Sequence, residues 1–204
     1  MAAGDTALSI CSDSLLMLGA KPISSFDEGT DEASVANRLY TDIRDQALVV
    51  YPWSFSFKKT QLARLITTPT NEYRYEYQLP GDRLASPRAV YDSNATGMPP
   101  RKEYRIMGDK LLTDYEQVWI DYQYAVPEFS MPQYFVQLLK YMMAWHLALP
   151  ITDQTEKAQY WQNVAVGSAA ENGRGGYMRV AMNIDGAGQP TNAIEDFSLI
   201  AVRY

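Results

Sequence analysis

The side chains able to do chemistry in this chain are few and scattered. His146 is the only histidine and Cys11 the only cysteine, so a Ser-His-Asp or Cys-His nucleophilic site would have to be built around one of them. His146 lies inside FVQLLKYMMAWHLALP, in the middle of a helical apolar pattern, and reads as a packing or interface histidine. Cys11 falls on the apolar face of the first expected helix, where a thiol behaves as a small hydrophobe. A lone cysteine also excludes an internal disulfide framework and a multi-cysteine zinc site. Asp27, Glu28, Asp31 and Glu32 crowd one stretch. Without the Asx-rich, glycine-containing loop of a calcium hand, they read as an acidic loop and helix N-terminus. GRGGY lacks the lysine and the strand-to-helix setting of a phosphate loop. Glycan hydrolysis needs two carboxylates a few ångströms apart, a separation that spacing along the chain does not reveal. No catalytic residue, metal ligand or cofactor is expected from these patterns.

The most unusual local pattern is YPWSFSFKKTQLARL, residues 51–65. A proline follows a helical stretch, Trp53, Phe55 and Phe57 alternate with serines, and Lys58, Lys59 and Arg64 follow without an acid among them. Tyrosine is also abundant, at 15 residues, eight of them between Tyr73 and Tyr124. On a strand, tyrosines at period two read as sheet packing before they read as a platform for nucleobases.

The elements that position these residues follow from periodicity. Leu8, Cys11, Leu15 and Leu18 share one helical face over residues 6–18, with Gly19 as C-terminal cap. Thr30 is the expected N-cap of a second helix, with Asp31 and Glu32 in its first turn and Pro52 ending it. The two helices are expected to pair antiparallel. From about residue 72 the period becomes two: EYRYEYQL, LASPRAVYD with Pro87 marking an edge or a bulge, a hairpin turning near Gly108 and Asp109, and QVWIDYQYAV. Helical periodicity returns with a capping box at Ser130 and Gln133 and a helix ended by Pro150. A second box at Asp153 and Glu156 opens a last helix running to about Asn172. The expected fold class is α+β, mainly α. It comprises an antiparallel four-helix bundle, one small antiparallel sheet inserted between the second and third helices, and an extended C-terminal tail. The divisions are 1–66 (two helices and the aromatic connector), 67–128 (inserted β domain), 129–176 (two helices) and 177–204 (a tail docked on a partner).

A chain of 204 residues with 47% hydrophobic and 21% charged residues is globular in composition. The net charge of −6 argues against a general nucleic-acid binder, which neutralises phosphates with surplus Lys and Arg. MAAGDTALSI shows neither the basic nor the apolar region of a secretory signal, and no apolar run reaches a membrane span. The expectation is a protein soluble when made, without a membrane partner.

The stretch LGAKPISSFDEGTDEASVANRLYTDIRDQALVVYPWSFSFKK resembles the N-terminal part of tail tubular protein A, the head-to-tail adaptor family of short-tailed bacteriophages. The matching positions are Leu18, Gly19, Pro22, Ile23, Ser25, Asp27, Glu28, Ala36, Tyr40, Arg44, Asp45, Leu48, Pro52, Trp53, Phe55 and Lys58. LPGD, residues 79–82, and LALPIT, residues 147–152, are similar as well. The resemblance implies a structural virion protein of the tail or neck, made in the host cytoplasm and not an enzyme. Such a protein forms a ring, usually twelvefold, between the portal protein and a tail nozzle protein of the tail tubular protein B type. DNA passes through its channel without sequence-specific binding, and its C-terminal segment reaches along the portal. Within that frame Pro52 turns the chain out of the bundle, and Trp53, Phe55 and Phe57 wedge between bundle and sheet. Lys58, Lys59 and Arg64 then lie exposed, to pair with the acidic 27–32 loop of a neighbouring subunit or with DNA phosphates. Arg44, Asp45, Asp27 and Glu28 are further interface or structural candidates. Two other roles are compatible: a virion-associated cell-wall glycan hydrolase using a carboxylate pair, and a head-completion protein of a long-tailed phage.

Overall fold

The computed structural model describes residues 5–67 and 69–188. Its first helix, α1 (Ala7–Leu18), starts at Thr6, whose hydroxyl accepts from the Ser9 N–H while the Ser9 hydroxyl accepts from the Thr6 N–H. It ends at Gly19, left-handed at φ 76°, whose N–H closes the last turn onto Leu15 and Leu16. α2 (Asp31–Val50) is capped by the Thr30 hydroxyl. Its buried face carries Ala33, Ala36, Tyr40, Ile43, Ala47 and Leu48, whose alanines allow close approach to its neighbour. That neighbour is α3 (Gln133–Thr152), the central helix, against which α1, α2, α4 (Thr155–Val166) and α5 (Gly176–Ala187) all pack. α1 and α2 meet each other far less than each meets α3, so the expected antiparallel pair is subordinate to a helix supplied much later in the chain.

Two expected caps do not form. Ser130 closes a 3-10 turn (Glu128–Ser130), and Gln133 is already the first residue of α3, one position rather than three beyond its N-cap Pro132. Pro150 does not stop α3: near a C-terminus a proline forfeits only one backbone bond, and the Thr152 hydroxyl donates to the Ala148 carbonyl at 2.6 Å. The helix ends at Asp153, left-handed at φ 54°, which is therefore a C-cap rather than the start of a capping box.

The β residues form two three-stranded antiparallel sheets. One has the order β1 (Phe57–Gln61), β6 (Trp119–Gln123), β3 (Ala89–Tyr91); the other has β2 (Tyr75–Gln78), β5 (Lys110–Thr113), β4 (Tyr104–Met107). The expected hairpin at Gly108 and Asp109 joins β4 to β5. Val90, Ile120 and Tyr122 of the first sheet and Tyr77 and Leu111 of the second share one core with Leu62, Leu79 and Val118.

The expected four-helix bundle with one inserted sheet and an extended tail is thus replaced by a mixed α+β fold, with five helices and two sheets among the described residues. A single sheet would leave its apolar face without a partner, and two sheets cover each other. The extra strand comes from the connector. Lys58 and Thr60 pair with the buried Tyr122 and Ile120, but Lys58 itself is exposed and Phe57 half-buried, so no apolar alternation marks β1 in sequence. The fifth helix comes from the first part of the expected tail, where Met178, Ala181 and Asp185 are buried against the protein's own helices. α4 stops at Val166, and Gly167, Gly175 and Gly176 allow the return. A Cβ on Gly176, at φ 50°, would lie 2.6 Å from the Val164 carbonyl oxygen. The expectation for the rest of the tail falls on residues 189–204, outside the described residues. No described helix is long and apolar enough to cross a membrane.

Candidate functional site

The connector is the joint between the helical and β halves. α2 ends at Tyr51 in extended backbone, Pro52 follows, and Trp53 is driven into the helical core with no exposed surface. The Trp53 indole N–H donates to the Ala47 carbonyl at 2.9 Å, and its ring lies 4.8 Å from Tyr51 and 5.1 Å from Phe135. Phe55 packs on Phe135 at 5.1 Å and on Tyr134 at 6.3 Å. Phe57 does not join this cluster. The 3-10 turn Ser54–Ser56 resets the alternation, and Phe57 opens β1 on the outer face of its sheet, beneath the Arg88 guanidinium. The aromatic wedge is therefore Trp53 and Phe55 with Tyr51, Tyr134 and Phe135, and it is part of the helical core.

Two buried polar side chains secure the joint, and neither stood out in the sequence. Gln123, at the end of β6, donates its amide to the carbonyls of Leu48 and Tyr51 and to the Ser56 hydroxyl. Asp185, 3% exposed on α5, accepts from the Ser54 N–H and hydroxyl and from the Tyr134 hydroxyl. Burial, then the bond to Asp185, pushes the Tyr134 phenol far above its usual ionisation. Buried amides and carboxylates look like surface residues in a sequence. Only their position at a strand end or on an apolar helix face hints otherwise.

The basic residues of the connector have partners within the chain. Lys58 pairs with Asp82 of LPGD at 2.5 Å and lies 4.4 Å from the Tyr124 ring. The hydrogen bond that Lys58 donates to the Asp82 carboxylate raises the Lys58 pKa. At Asp82 burial pushes upward, but bonds from Lys58 and Tyr122 outweigh it and its pKa is lowered. Lys59 sits 3.9 Å from the Tyr91 ring centre, Arg88 5.3 Å from that of Phe57, and Arg64 5.0 Å from that of Tyr75. Lys59, Arg88, Tyr91, Phe57 and Asp121 line an open cleft of about 700 Å³ on the outer face of the first sheet.

The acidic and helical candidates divide between two places. Arg44 pairs with Asp45 at 2.8 Å and with Glu128 at 3.2 Å, and Glu128 also accepts from the Tyr40 hydroxyl, tying α2 to the turn before α3. Glu28 accepts from the Ser24 N–H and hydroxyl and from the Thr30 hydroxyl, and these bonds hold its carboxyl at about 2. Asp27 stays exposed with its carboxylate unengaged. A further ion cluster, Lys140 with Asp13 at 2.7 Å and Asp5 at 3.5 Å, joins α3 to α1 in a place that sequence spacing does not reveal.

No constellation of nucleophile and base is assembled among the described residues. The His146 ring lies against Trp145, its Nε2 has no hydrogen-bond partner, and burial lowers its pKa. The Cys11 thiol is pushed up to about 12, by burial first and by the Glu128 charge second. Glu28, Glu76, Asp82, Asp92, Glu103 and Asp109 all have lowered pKa values, the opposite of what a general acid needs. No cluster of metal-ligating side chains occurs among the described residues. No protein-family model matches the chain, and no curated protein matches it in sequence.

Proposed function

We propose that this chain is a structural virion protein, a head-to-tail adaptor that forms a ring between a portal and a tail nozzle around the DNA exit channel. The observation that carries it is what the residues resembling the tail tubular protein A family do here. Gly19 caps α1, Glu28 ties its loop, and Arg44 binds α2 to the turn before α3. Trp53 anchors the connector, and Lys58 meets Asp82, joining two separated pieces of the resemblance in one ion pair. These residues are spread from the helices to the first sheet and are gathered at no reaction centre among the described residues. That distribution suits a part that transmits position between partners. A glycan hydrolase needs one carboxyl held protonated near neutrality, and none of the shifted carboxyls among the described residues moves in that direction.

The test is sedimentation of the purified protein alone and with the portal ring of the same genome, followed by electron microscopy of the complex. A ring stacked coaxially on the portal is the expected result. No association with the portal at any salt concentration would remove the adaptor role.

A further inference from the structure

The outer cleft of the first sheet is lined by three cations, Lys58, Lys59 and Arg88, and one acid, Asp121, and only Lys58 has an ion-pair partner among the described residues. Lys59 and Arg88 lack a carboxylate at ion-pair distance among the described residues, and each is held in place by a ring instead. A cation over a ring keeps hydrogen-bond donors free for an incoming anion. Between them Asp121 accepts from the Tyr91 hydroxyl at 3.0 Å. That carboxylate is unfavourable for a phosphate backbone, and ring faces already covered by cations are closed to stacking bases. A peptide suits the cleft better, bringing carboxylates to Lys59 and Arg88 and backbone N–H groups to Asp121.

The complementary peptide is present on the same chain. Asp27 and Asp31 are exposed and unpaired among the described residues, and residues 20–33 carry four carboxylates against one lysine, Lys21. Glu28, bonded to Ser24 and Thr30, keeps this loop in one shape, so little order has to be gained on binding. The loop precedes α2 and the cleft follows it. The 20 residues of α2 separate them by about 30 Å, too far for one chain to close the contact on itself.

We propose that the 27–32 loop of one copy seats in the cleft of Lys59 and Arg88 on the next. Such a contact is heterologous, and repeated it closes into a ring or continues as a filament. It deepens the adaptor role and rests on its self-assembling part, naming the surfaces that meet.

Two charge-reversed chains test it by sedimentation equilibrium: Lys59→Glu with Arg88→Glu, and Asp27→Lys with Asp31→Lys. All four positions are exposed, and unchanged thermal midpoints would verify folding. The expected result is that each variant alone self-associates at least about tenfold more weakly than the natural chain, while an equimolar mixture regains most of the affinity. Added salt weakens the natural chain and the mixture alike. Variants that associate like the natural chain, or a mixture no tighter than its components, overturn the contact. So does a natural chain that stays monomeric to about 1 mM. If such a monomer still stacks as a ring on the portal, the adaptor role stands and only the loop-in-cleft contact falls. If it does not, the adaptor role falls independently.

Discussion

Trp53 is fully buried and its indole N–H satisfies a carbonyl of the helix that precedes it. Trp53→Ala should therefore destabilise the protein by about 3–5 kcal/mol, read as a lower midpoint in urea at unchanged slope. Phe57→Ala, on an outer sheet face, should cost much less, and an equal loss would return Phe57 to the wedge. Glu28 makes a prediction in pH. Its folded carboxyl ionises at about 2 against 4.5 unperturbed, because the Ser24 N–H, the Thr30 hydroxyl and the Ser24 hydroxyl stabilise the anion. The contribution is complete above pH 4.5 and is lost as pH falls from there through 2. A carbon-13 titration of the Glu28 carboxyl should show the low midpoint, and Thr30→Val should move it upward. A midpoint near 4.5 in the natural chain would mean that the loop is not tied.

At the scale of elements, α5 matters most, because it lies where a tail docked on a partner was expected. Its one buried acid, Asp185, receives donors from the connector and from Tyr134 on α3. Asp185→Ala takes the acceptor from those donors, of which the exposed Ser54 can turn to solvent while the half-buried Tyr134 hydroxyl loses its partner, a loss of about 1–2 kcal/mol. Hydrogen exchange should quicken across residues 176–187 while α1 and the buried face of α3 keep their protection. Uniform loss of protection would show that α5 and the bundle open together. The sequence did not mark this helix, since a helix of 12 residues bracketed by glycines is defined by what it packs on.

For the whole molecule, the helical and β cores are separate clusters that share Tyr124 and are bridged by the Gln123 amide. Calorimetry of the natural chain should give one cooperative transition. Gln123→Leu, which leaves the Leu48 and Tyr51 carbonyls without this donor, should cost about 1–3 kcal/mol and broaden or split that transition. If the transition stays sharp, the Trp53 cluster alone couples the halves. The net charge of −6 is unevenly laid out, with the acidic loop ahead of α2 and the basic cleft beyond its other end.

Sequence by itself determined what depends on neighbours a few residues apart. Gly19 ends α1 because only left-handed backbone closes that turn, Thr30 starts α2 because its hydroxyl reaches three residues on, and Gly108 turns the β4–β5 hairpin. The burial of Trp53 was legible too, from a large ring just past a helix stop. Only tertiary structure decided that Lys58 meets Asp82, that Arg44 meets Glu128, and that Gln123 and Asp185 are buried fasteners. It alone split the β residues into two sheets, recruited residues 57–61 as a strand and docked α5. The physical reason is the same throughout. A cap or a turn is satisfied by the backbone beside it, whereas a charged or amide side chain, or a strand with mixed residues, takes its place from whichever distant surface satisfies it.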